Sequence, residues 1–116
     1  MRKKLNCIRS QKWKLQNGRC YYCGFLMWSG NQSLFAKTLG VSTACVSRLQ
    51  CTAEHLNARS DGGLDSDANI VAACLHCNRT RHKAATILGP HPYRLKVQDR
   101  ISAGKWHPRC LWGAAP

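Results

Sequence analysis

Two Cys-x-x-Cys pairs, Cys20/Cys23 in "RCYYCG" and Cys74/Cys77 in "CLHC", constrain this chain more than any other feature in it. Each turn offers two thiolates at the separation a tetrahedral metal site needs, and two turns complete a four-thiolate Zn2+ site. Fifty residues lie between the pairs, more than a compact zinc ribbon spans. The expected site therefore clamps an early turn to the start of a late helix. It is closed, so it stabilises rather than catalyses. Cys7, Cys45, Cys51 and Cys110 stand alone, and a reducing compartment argues against disulfides. His76, inside the second pair, is either a substitute ligand or a solvent-facing passenger.

The second constraint is charge. Eighteen Lys and Arg oppose five acids, a formal +13 on 116 residues. Solubility does not require so much, whereas a polyanion does, because each cation placed on a phosphate releases condensed counterions. Nucleic acid is the leading partner, DNA first with RNA left open. An anionic membrane surface comes second, since no basic helix with an aromatic face stands out. No apolar run reaches the length of a membrane span. The start, "MRKKLNCIRSQKWK", lacks the apolar stretch of a signal peptide, so a cytoplasmic protein is expected.

The length suits one domain over residues 1–116. Residues 3–16 read as a helix with Leu5, Ile8 and Leu15 on one face and Asn17-Gly18 as its stop. Residues 24–47 read as an insertion. Within it and just beyond, "SLFAKTLGVSTACVSRL" (33–49) has the pattern of a helix-turn-helix about Gly40, with Ser42 capping a second helix. Residues 48–56 suit a strand, "NARSDGGLDSDAN" a loop bent at Gly62-Gly63, and "IVAAC" a second strand. "NRTRHKAATIL" reads as a helix ended by Gly89-Pro90, and "YRLKVQDRISAG" as another. The tail "KWHPRCLWGAAP" reads as irregular. Strand, loop, strand, helix is thus the order of the core, about residues 48–89.

Glu54 and His55 stand side by side on the first of these strands, where neighbouring side chains point to opposite faces. They share one pocket only if the strand is bent or bulged. Asn69 heads the second strand and Asn78 the helix, with His82 one turn further on the same helix face. Taken one at a time, these are an exposed polar pair, a turn-closing Asn and a helix cap.

In this order and at these distances, "AEH…GG…NIVAACLHCNRTRHK" resembles the HNH endonuclease family, a ββα-metal fold. The likeness is close over residues 51–83 and extends to Cys20 and Cys23, because zinc-stapled members carry an upstream pair. The resemblance implies a small α+β fold: a ββα core stapled by a four-cysteine zinc site, with flanking basic helices. It implies a metal-dependent endonuclease that hydrolyses DNA phosphodiesters to 5′-phosphate and 3′-hydroxyl ends. His55 would be the general base, near neutral pH a suitable one. Asn69 would orient that ring, through its second nitrogen or through nearby backbone. Glu54 and Asn78 would hold one Mg2+ or Mn2+ through hard oxygens, with His82 either a further ligand, a phosphate contact or solvent-facing. Arg79, Arg81 and Lys83 would contact phosphates, or else form a solvated face. Two departures stand out: Glu54 where the family often has Asp, and Asn78 where it often has His. The competing reading is a zinc-stabilised nucleic-acid-binding module without cleavage. A free-standing protein of this kind suits a bacterium or phage. Cutting both strands would take a homodimer or two successive events.

Overall fold

The computed structural model of the chain describes residues 2–116, and the side chains from residue 3 onward. Four α-helices, a two-stranded antiparallel sheet and three 3₁₀ turns make up the described residues. Helix α1 (Arg2–Leu15) ends where expected. Asn17 and Gly18 both take left-handed backbone angles, φ 56° and 74°, which Asn and Gly tolerate better than other residues. Ile8 is buried, but Leu15 is 76% exposed. Trp13 packs on the core in its place, so the inner face of α1 is rotated from the expected one.

Strand β1 (Cys51–His55) pairs with β2 (Ile70–Cys74) in unbroken register, Cys51 opposite Cys74 through His55 opposite Ile70. A sheet of two strands leaves both outer edges with unpaired backbone groups, and buried groups of that kind must find partners. Gln16, past the end of α1, supplies them at β2: its side-chain amide accepts from Ala72 N (2.9 Å) and donates to Ala72 O (2.8 Å). Tyr21 N adds a second donor to Ala72 O. At β1, Trp28 lies alongside and accepts from Cys51 N at 2.9 Å. Asn78 and Arg81 donate to the carbonyls of Ala53, His55 and Leu56. Both edges are therefore partly covered by side chains and loop backbone.

Helix α3 (Leu75–Lys83) begins directly at the end of β2. Cys74 caps it, its sulfur accepting from Cys77 N. The helix starts three residues before Asn78 and stops at Lys83 rather than at Gly89-Pro90, with Ala84 extended. Pro90 instead opens α4 (Pro90–Ser102), a position where its missing N–H costs nothing. Tyr93 and Val97 bury the inner face of α4.

Residues 33–49 do not form a helix-turn-helix. Helix α2 (Gln32–Leu39) is present, capped by Asn31 and closed by left-handed Gly40. The expected second helix is a 3₁₀ turn, Ala44–Leu49, that buries Val46 and Leu49. Those two side chains are consumed by the core, so no exposed reading helix remains. The tail is not irregular either. Trp106 and His107 are buried, and a 3₁₀ turn over Arg109–Ala114 buries Leu111 and Ala114.

The loop between the strands depends on Gly63. A Cβ built there would lie 1.8 Å from Asn57 O, far inside contact distance, while Gly63 N donates to Ala58 O at 2.9 Å. Gly63→Ala is expected to destabilise the chain by about 2 kcal/mol or more, read as a lower midpoint in thermal unfolding. Gly113→Ala meets only Leu39 at 3.6 Å and should leave the midpoint nearly unchanged.

Candidate functional site

Cys20, Cys23, Cys74 and Cys77 are all buried, and their sulfurs lie within 4.8 Å of one another. Tetrahedral Zn2+ with bonds near 2.3 Å sets its sulfurs about 3.8 Å apart. Cys23 and Cys74 are separated by 3.9 Å, so the cluster fits a zinc site. Its electrostatics also call for a cation. Burial opposes ionisation of Cys20, yet hydrogen bonds from Cys23, Cys74 and Cys77 outweigh it and hold that thiol well below its ordinary range. Cys74 and Cys77 are pushed well above theirs, by burial and then by Cys20 and Cys23. A cation is what lets all four ionise together.

Donors surround these sulfurs. Cys74 N and Tyr22 N point at Cys20, at 3.2 and 3.4 Å. Trp106 Nε1 donates to Cys77, and His107 Nε2 lies 3.4 Å from Cys23. Arg48 Nε donates to His107 Nδ1 at 3.2 Å, so the ring proton sits on Nε2 and is donated to sulfur. Burial, and then the charge of Arg48, push His107 down to about 3, which keeps it neutral. His76 is neither ligand nor passenger: it is partly buried, with its ring 4.7 Å from that of Trp106. The sequence reading missed Trp106 and His107. A Trp-His pair some thirty residues past Cys77 carries no spacing signal.

The polar centre lies one turn further along α3. Glu54 is fully buried. Its Oε2 accepts from Tyr22 Oη (2.8 Å) and Arg81 Nη1 (3.0 Å), and its Oε1 lies 2.8 Å from His82 Nε2. Burial and then the charge of Glu54 push the Tyr22 hydroxyl far above its ordinary value, so it stays a donor. Asn78, one turn before His82, donates through Nδ2 to Thr52 Oγ1 and Ala53 O. Its Oδ1 accepts no hydrogen bond among the described residues. Glu54 and His82 thus meet beside α3, and Asn78, one turn earlier on the same helix face, holds β1 at Thr52 and Ala53. Arg81 does not face solvent as a phosphate contact. It is 3% exposed, and its guanidinium is spent on Glu54 and on the carbonyls of His55, Leu56 and Leu88.

His55 does not join them. The ladder has no bulge, so Glu54 and His55 point to opposite faces of β1. His55 Nε2 lies 2.7 Å from Asp65 Oδ1, and Asp65 takes two 2.9 Å bonds from Arg59. The hydrogen bond to His55, and then the one from Arg59, hold Asp65 below its ordinary range. Asn69 makes no bond to the His55 ring. Its side chain holds backbone instead, accepting from Asn57 N and donating to Asn57 O and Leu64 O. That clasp closes the loop carrying Asp65. Asp65 and Arg59 escaped the sequence reading because a polar loop residue has no periodicity to mark it.

Residues 42–84 match a family model described as HNH endonuclease. No curated protein and no solved structure matches the chain. No helix of the described residues is long and apolar enough to cross a membrane.

Three outcomes follow from this geometry. Cys77→Ser should lower bound metal, measured by elemental analysis of the purified chain, and shift unfolding to lower temperature. Arg81→Ala should cost about 3–5 kcal/mol, because it strands the buried Glu54 carboxylate; chemical denaturation measures it. A carboxyl held low in the folded chain lends stability above its unfolded value and loses it as pH falls through the folded one. Asp65→Asn should therefore flatten the acid limb of the stability curve below about pH 4.

Proposed function

We propose, on the premise that residues 42–84 are an HNH domain, that the chain is a metal-dependent endonuclease cutting DNA phosphodiesters to 5′-phosphate and 3′-hydroxyl ends. The observation that carries this reading is the match of residues 42–84, which hold Glu54, His55, Asn69 and Asn78, to the HNH endonuclease family model. Glu54 with His82 lies on one face of β1 and His55 with Asp65 on the other, so the two act on one phosphodiester only if the end of β1 turns when DNA binds. A pure binding module has no chemical need of either.

Glu54, Asn78 and His82 would hold the catalytic cation, Mg2+ or Mn2+. The carboxylate and the Asn78 carbonyl oxygen are the hard donors such an ion takes, and the ion would replace the 2.8 Å hydrogen bond that now joins Glu54 Oε1 to His82 Nε2. Tyr22 and Arg81 secure Oε2 and so aim Oε1. The bound cation would supply charge stabilisation to the pentacovalent phosphate and the departing 3′-oxygen. His55 is the general base. With Nε2–H donated to Asp65, its Nδ1 lone pair is left free to take a proton from water. Arg59 fixes Asp65, and Asn69 fixes the loop behind it. Arg81 joins the halves, donating from one nitrogen to Glu54 Oε2 and to His55 O. Arg79 and Lys83, both exposed, are the phosphate contacts on α3. Zn2+ in the four-cysteine cluster holds the scaffold.

One observation favours a second reading. Glu54 is wholly buried and fully bonded within the protein, as in a structural network of a zinc-stabilised nucleic-acid-binding module. Plasmid relaxation separates the two. Supercoiled DNA should become open-circle in Mg2+ or Mn2+ and stay intact in EDTA. His55→Ala should lose about 10²–10⁴-fold in rate, with a lower thermal midpoint from the lost Asp65 bond but a folded chain at the assay temperature. Undiminished nicking by that variant would remove His55 from the mechanism, and no nicking by the wild-type chain would leave the binding module.

A further inference from the structure

A second basic feature lies on the opposite side of α3 from Glu54 and His82. At 3.6 residues per turn, the Asn78/His82 and His76/Thr80 faces of that helix are about 160° apart. His76 and Thr80 form one wall of a cleft of about 370 Å³, whose other walls are Lys96, Arg100, Lys105 and Trp106. The chain is built to bring the three cations together. Lys96 and Arg100 are one turn apart on α4. Gly104, at φ 71°, then reverses the chain, and Lys105 N donates to Arg100 O at 2.9 Å, which returns Lys105 beside Arg100.

None of the three cations has an ion-pair partner among the described residues, and all are exposed. Asp99, the only acid on α4, does not line the cleft. Like charges one helical turn apart repel. Arg100 in the last turn of α4 also answers the helix dipole, but that accounts for one cation of three. Thr80 adds a hydroxyl that makes no hydrogen bond among the described residues. Three cations and a hydroxyl around one concavity, with no carboxylate, is a composition suited to a phosphate.

The cleft also connects to the centre. Passing round α3 from His82, the next side chains are exposed Arg79 and Lys83, then Thr80. The path is cationic throughout.

We propose that the cleft between α3 and α4 is a second phosphate-binding site, which grips the nucleic-acid backbone away from the scissile bond. It lies mostly outside residues 42–84, and it rests on the nuclease reading only in taking nucleic acid as the ligand. The test uses the full chain, a short DNA duplex and EDTA to prevent cutting. Fluorescence anisotropy across a salt series should show that Lys96→Ala/Arg100→Ala/Lys105→Ala binds more weakly. Its slope of log K against log salt should be smaller in magnitude by about 1 for one lost phosphate. In the wild-type chain, duplex should shift the NMR signals of the Thr80 amide and the Trp106 indole N–H, and the triple variant should lose those shifts. An unchanged slope, or unmoved Thr80 and Trp106 signals while others shift, overturns the site and leaves the nuclease intact. No duplex binding by the wild-type chain would sink the nucleic-acid reading and the cleft together. Normal cleft signals without plasmid nicking would sink the nuclease alone.

Discussion

Four buried sulfurs within 4.8 Å of one another are the constraint on which the rest of this structure depends. Such a group does not persist as bare thiolates, since each ionisation raises the cost of the next. Metal uptake at such a cluster would be coupled to folding. The cluster also sets the polar centre. Tyr22 sits between two of the cysteines and donates to Glu54. Cys77 lies in α3 just before Asn78, Arg81 and His82. A shift of the cluster would move the donor and the helix face together, so the scaffold and the chemistry share one reference point.

The parts of the molecule legible in the sequence were those with a short-range code. The CxxC pairs, the Asn-Gly stop of α1, the two strands and the joint placing of Glu54, Asn78 and His82 all follow from spacing and periodicity. The parts that were not legible depend on who covers whom. Val46 and Leu49 carry a helical pattern, yet the core takes them in a 3₁₀ turn. Arg81 looks like its exposed neighbours Arg79 and Lys83, but faces inward because a buried carboxylate and outward-pointing carbonyls of β1 need its donors. Asp65 reaches His55 only because Gly63 and Asn69 fold the loop. Trp106 and His107 come from a tail with no pattern at all.

The Glu54-His55 pair shows what strand geometry does with adjacent polar residues. Regular alternation sends them apart, and the protein equips each separately: a buried, charge-assisted network for the carboxylate, a half-exposed carboxylate–imidazole relay for the base. Arg81 is the one side chain that touches both residues, through the Glu54 carboxylate and the His55 carbonyl.

The closure of the sheet by Gln16, Trp28, Asn78 and Arg81 has an effect beyond satisfying backbone groups. A two-stranded ribbon is an open template on which a neighbouring molecule can stack its own strand, the route by which small β-containing proteins aggregate or fuse. Here much of that template is already occupied from within, by Gln16 along β2 and by Trp28, Asn78 and Arg81 along β1, so little of either edge is left for a neighbouring copy to pair with.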